Sequence, residues 1–192
     1  MVKHCKRSRF PTFAAGLAAV FVTLGTATPL QAHRPYFVWA DALSPGRALI
    51  IAQPAVSWAV YATLPSPGAR QYYRFEGEAG QIIFVQILVP RRSPLRLSPP
   101  VATIVGPATL AEIEAAADPT EAGEYRIRTG TDERTEYHES FTQVTYDQYP
   151  PLRVELPADG TYWIIVTSPD EGTGNYVLAV GTEEVFAARD LP

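Results

Sequence analysis

Short segments of alternating apolar residues recur along this chain at intervals of roughly ten residues, each closed by glycine or proline, and that rhythm leaves few folds open. Leu152-Arg-Val-Glu-Leu156 alternates without interruption, which directs Leu152, Val154 and Leu156 to one face and toward a core. Pro157-Ala-Asp-Gly160 is turn chemistry, because proline presets φ early and glycine supplies φ > 0 at the end. Thr161-Tyr-Trp-Ile-Ile-Val-Thr167 then reads as the returning strand of a hairpin. Asp170-Glu-Gly-Thr-Gly174 turns once more into Asn175-Tyr-Val-Leu-Ala-Val180. Earlier strands are expected at Val56–Leu64, Gln71–Glu76, Gln81–Val89, Val101–Val105 and Tyr125–Arg128. In Gln71–Glu76, Tyr73 and Phe75 share a face. Gln81–Val89 is apolar on both faces, as a central strand covered on each side requires. The expectation is an all-β fold, an antiparallel, jelly-roll-like β-sandwich, not a βαβ fold.

Two stretches break the rhythm. Arg91-Arg-Ser-Pro-Leu-Arg-Leu-Ser-Pro-Pro100 is a loop in which ladder hydrogen bonding must stop. Residues 109–117, Thr109-Leu-Ala-Glu-Ile-Glu-Ala-Ala-Ala117, form the one strong helical pattern and read as a short surface insertion between strands.

The first 32 residues differ in kind. They hold Lys3, Lys6, Arg7 and Arg9 and no acid, and Phe13–Leu24 is an apolar run of 12 residues. A basic start, a short apolar middle and a small-residue end are the order of a secretory signal peptide, and the run is too short to span a bilayer. Gly25-Thr-Ala27 and Leu30-Gln-Ala32 offer cleavage after Ala27 or after Ala32. The expected organisation is a leader over 1–32, an N-terminal extension over 33–53 and the sandwich over 54–186, in an exported chain that works in the periplasm or outside the cell without a transmembrane anchor.

Beyond residue 32 there are 12 Lys+Arg against 20 Asp+Glu, a formal charge of −8. Such a surface repels a phosphate backbone, so no nucleic-acid partner is expected. The lone Cys5 lies in the leader, which leaves the rest without a disulfide, a thiolate nucleophile or a Cys-ligated metal. HExxH, G-x-S-x-G, P-loop and G-x-G-x-x-G motifs are all missing.

Tyr72-Tyr-Arg-Phe-Glu-Gly-Glu-Ala-Gly-Gln81, Leu156-Pro-Ala-Asp-Gly-Thr-Tyr-Trp-Ile-Ile-Val166 and Gly174-Asn-Tyr-Val-Leu-Ala-Val180 together resemble the core motifs of the bacterial pre-peptidase C-terminal domain family. The resemblance covers about residues 54–181. It implies a jelly-roll-like sandwich in which Gly80 and Gly160 serve turns while Tyr162 and Tyr176 serve packing. It also implies a non-catalytic module, since members of that family are usually appended to secreted hydrolases. Some bind collagen or polysaccharide, with or without calcium. A peptidase domain ahead of the sandwich is not expected, and the helical insertion and His33-Arg-Pro-Tyr-Phe-Val-Trp39 lie outside the family core.

Aromatic side chains are the remaining binding resource, because a ring combines large contact area with few rotors. Tyr137, Tyr146 and Tyr149 crowd the segment before Pro150-Pro151, and Tyr36, Phe37 and Trp39 crowd the N-terminal extension. Tyr137, Tyr146, Tyr149 and Trp39 are therefore the candidate ligand-binding residues, for a polysaccharide or an extracellular or envelope protein, with no cofactor needed. Asp132, Glu133, Glu136 and Glu139 offer oxygens to calcium but lack the spacing of a recognised calcium loop. The alternative is a copper protein, carrier or oxidative enzyme. Cleavage after Ala32 would make His33 the first residue, so that its α-amine, its imidazole and His138 would supply three nitrogens, a set that suits Cu(II) and resembles a histidine brace.

Overall fold

The computed structural model describes residues 34–38, 42–139 and 142–184. The expected leader, His33 and Trp39 lie outside them. The strands are β1 (Arg34–Phe37), β2 (Leu49–Ile50), β3 (Trp58–Leu64), β4 (Arg70–Gly77), β5 (Ile82–Pro90), β6 (Val101–Gly106), β7 (Tyr125–Arg128), β8 (Thr135–Glu139), β9 (Val144–Gln148), β10 (Leu152–Glu155), β11 (Gly160–Thr167) and β12 (Gly174–Val180). Among the described residues one α-helix, α1 (Leu110–Ala115), interrupts them. A seven-stranded sheet runs β1-β3-β12-β5-β9-β8, with β10 also on β5, and a five-stranded sheet runs β2-β4-β11-β6-β7. The fold is an all-β sandwich.

Strand placement follows burial demand. In β11, Tyr162, Trp163, Ile164, Ile165 and Val166 are all buried, so the strand needs cover on both faces and partners on both edges. It sits between β4 and β6. Tyr162, Ile164 and Val166 enter the main core with Tyr73, Phe75, Ile83, Val85 and Ile87. Trp163 and Ile165 face the other way, into a second cluster closed by Ile113 of α1. That helix starts on a capping box in which Thr109 and Glu112 satisfy each other's backbone N–H groups. The insertion is thus a lid over the outer face of the five-stranded sheet, and the Trp163 indole N–H donates to Ala108 O at 2.9 Å.

The Pro157–Gly160 turn does not close a hairpin. β10 pairs with β5 in one sheet, whereas β11 pairs with β4 and β6 in the other. Leu156 and Tyr162 do both reach the core, as their alternation requires, but from opposite layers. The corner is tightly built. Gly160 lies at φ 144, in register with Gly77 of β4, and a Cβ on Gly77 would fall 2.3 Å from Leu156 Cδ1.

The edges also depart from expectation. The N-terminal extension supplies an edge strand to each sheet, and both run parallel to their neighbours, β1 beside β3 and β2 beside β4. The sheets are therefore mixed and not purely antiparallel. β9 and β10 share one edge of β5 end to end, with Pro150-Pro151 interrupting the ladder between them. Across that gap Gln86 Nε2 donates to Tyr149 O at 2.7 Å.

Candidate functional site

The outer face of the seven-stranded sheet is not covered by α1. Its side chains are set by register: Phe37 lies opposite Tyr61, Tyr61 opposite Val177, Val177 opposite Leu88, and Leu88 opposite Gln148. Because directly opposed residues share a face, these side chains form one row across the strands. Ala59, Leu88, Tyr146 and Val177 are buried in a cluster on this face, with Tyr61, Val144 and Ala179 packed against it. Phe37 and Tyr61 stack with centroids 5.0 Å apart and planes inclined by 18°. Tyr137 stands opposite Tyr146 across the β8–β9 pair, at 6.4 Å.

Two open hollows flank this row and share Tyr61, Tyr146 and Val177 as a common wall. The larger, about 620 Å³, lies toward Phe37, Thr63, Arg92, Thr145 and Asn175. The smaller, about 220 Å³, lies toward Phe84, Gln86, Tyr137, Glu139 and Glu184. Burial raises the Tyr61 phenol, and the nearby Glu139 and Tyr137 raise it further. Burial, with Tyr61 and Glu139 adding to it, pushes Tyr146 up to about 12. Both phenols thus keep their protons at neutral pH, so the wall presents neutral rings to a ligand.

One end of the groove is fixed by a charged knot. The Asp147 side chain is 1% exposed and accepts from Arg91 Nε and Arg96 Nε, each at 2.9 Å, with Arg134 Nη1 3.6 Å away. Burial works against the Asp147 charge, but the two guanidinium hydrogen bonds and the Arg134 field outweigh it and hold the carboxyl below its usual range. Arg91 Nη1 reaches Glu136 at 2.5 Å, so β8, β9 and the loop after β5 are tied together beside the larger hollow.

The candidate residues named from sequence separate on this frame. Tyr146 and Tyr137 belong to the groove; Tyr146 is buried in its wall and Tyr137 is 38% exposed at its rim. Tyr149 does not belong to it. It is 2% exposed within the main core, because three residues along an extended segment turn a side chain to the opposite face from Tyr146. Trp39 falls outside the described residues, although its neighbour Phe37 lines the larger hollow. Tyr61 does not stand out in the sequence. It lies inside a strand pattern, and only its register with Phe37 and Val177 shows its role.

For a metal, the copper arrangement needs His33, which lies outside the described residues. His138 is exposed on β8, with Nδ1 3.0 Å from Thr145 Oγ1. Among the described residues no three His, Cys, Asp or Glu side chains are grouped to hold an ion. No helix among them is long and apolar enough to cross a membrane.

Fold and groove define an all-β sandwich with an aromatic cleft outside one sheet. No family model matches the sequence, and no curated protein does. Similar solved structures include the Aeromonas hydrophila PliG, a periplasmic inhibitor of g-type lysozyme, at 14% identity and TM-score 0.43, covering 79% of this chain and 100% of that one. The PliG of Salmonella Typhimurium is similar at 12% identity and TM-score 0.36, covering 79% and 100%. The pre-peptidase C-terminal domain of a Bacillus anthracis collagenase is similar at 9% identity and TM-score 0.35, covering 77% and 94%.

Proposed function

We propose that this chain is an exported, non-catalytic binding module that takes a saccharide chain along the outer face of its seven-stranded sheet. The observation that carries this reading is the set of aromatic side chains on one sheet face, Phe37, Tyr61, Tyr146 and Tyr137, with open hollows on either side of a shared wall. Sugar rings present flat C–H faces that pack on aromatic side chains, while their hydroxyls need short polar groups at the margin. Thr63, Thr145 and Asn175 supply such groups on one side, and Gln148 on the other. Two adjoining hollows suit two neighbouring units of a linear chain.

The test is a panel of soluble oligosaccharides and insoluble polysaccharides, presented to the wild-type chain and to Tyr61→Ala. Tyr61 is half-buried and contributes one face of the shared wall, so its removal is expected to weaken binding by about tenfold or more without unfolding the sandwich. Binding that is indifferent to Tyr61→Ala, or no binding to any saccharide, overturns the reading.

A further inference from the structure

The two hollows share a wall but differ in charge. The larger is lined by Arg91 and Arg92 and by no Asp or Glu, whereas the smaller is lined by Glu139 and Glu184 and by no Lys or Arg. The arginines are not equivalent. Arg91 is held by Asp147 and Glu136, which fixes it as scaffold. Arg92, next to it in the loop after β5, is exposed and has no ion-pair partner among the described residues. In the same lining, Thr63 Oγ1 donates to Asn175 Oδ1 at 2.7 Å, which leaves the Asn175 amide hydrogens to serve as donors. The larger hollow therefore combines a fixed guanidinium, an uncommitted one and an amide donor, in a chain whose charge beyond residue 32 is −8. A local excess of donors of this kind fits a carboxylate, which accepts two parallel N–H bonds from an arginine.

We propose that the larger hollow is an anion subsite that receives a carboxylate of the bound saccharide, so that the ligand class is an acidic oligosaccharide of the uronate type. This rests on the saccharide reading above. The acid group enters beside Arg92 and not the smaller hollow, where Glu139 and Glu184 repel it. The acidic surface elsewhere adds discrimination, since a uronate finds few other favourable places to lie.

The experiment is calorimetric titration of the full chain with a tetrasaccharide of alternating glucuronate and N-acetylglucosamine, and with its methyl ester, which keeps every ring and removes the charge. The acid form is expected to bind roughly tenfold tighter than the ester at low ionic strength, with the gap closing toward 1 M salt. Arg92→Gln is expected to abolish that gap by weakening the acid form, and a gap that survives the substitution overturns the subsite; because Arg92 is exposed, the variant should fold normally. Equal affinity for acid and ester, with Tyr61→Ala still weakening both, overturns the anion subsite and leaves the saccharide reading standing. Binding of neutral glycans but of neither tetrasaccharide overturns the subsite in the same way. Failure of every saccharide, neutral or acidic, overturns both.

Discussion

Replacing Gly160 by valine tests the corner on which the two layers depend. Gly160 sits at φ 144, where a residue with a Cβ carries strain of about 1–3 kcal/mol. A Cβ built there falls 2.7 Å from Pro107 Cβ, and relieving such overpacking costs about another 1–3 kcal/mol. Branching at Cβ makes valine worse than alanine in this region of backbone space. The expected loss for Gly160→Val is thus about 4 kcal/mol, a large part of the roughly 5–15 kcal/mol that holds a domain together. For a domain of this size that corresponds to a midpoint lower by about 10 °C or more, read by thermal and urea unfolding monitored by circular dichroism. Gly160→Ala carries the strain and the contact without the branch and should lose about 3 kcal/mol. Gly130 is the control, because a Cβ there meets nothing within 4 Å, and Gly130→Ala should stay within about 0.5 kcal/mol of wild type. If Gly160→Val loses no more than Gly130→Ala, the corner has been misassigned and the crossover between sheets with it.

Asp147→Asn should lower stability at pH 7 by about 2 kcal/mol, since it turns two hydrogen bonds between charged partners into weaker ones around a carboxylate that is 1% exposed. The Asp147 carboxyl titrates below its ordinary value of 3.8, so the stability it adds is fully present above that value and disappears as pH falls through the lower, folded-state value. Urea unfolding between pH 7 and pH 2 should accordingly show a steeper acid loss for wild type than for the variant; parallel curves would contradict the charge assignment. Ile113→Ala should cost about 2–4 kcal/mol and shift Trp163 emission to the red, because Ile113 closes the outer cluster over that indole. An unchanged emission spectrum would mean that α1 does not cover Trp163.

Much of the architecture can be read from residues whose burial demand is written into their pattern. The apolar run ending at Val89 forms an interior strand, β5, as its pattern suggests, but its outer face is open, with Ile82 62% exposed, and the strand covered on both faces is β11; the alternation of Leu152, Val154 and Leu156 correctly sends them toward the core. What alternation cannot specify is the layer. It settles which side chains face inward, and both a hairpin and a crossover satisfy that, so the Pro157–Gly160 turn is legible as a turn but not as a passage between sheets. The edge strands β1 and β2 are illegible for another reason. They are four and two residues long and show no period-two burial, their place being set by backbone pairing with β3 and β4. The groove is half legible. Tyr137 and Tyr146 stand out as neighbours in sequence, but Phe37, Tyr61 and Val177 meet only through register between strands far apart in the chain.

The position of β12 bears on when this molecule can fold at all. β3 and β5 do not bond to each other; each bonds to β12, the last of the described strands. A nascent polypeptide still short of residue 174 therefore holds two separated halves of its larger sheet, with apolar edges and no strand to bridge them. Assembly must wait until that strand has been made, and the dominance of such distant pairings makes the closing step slow. Until then the chain stays threadable, and exposed to aggregation unless something accompanies it.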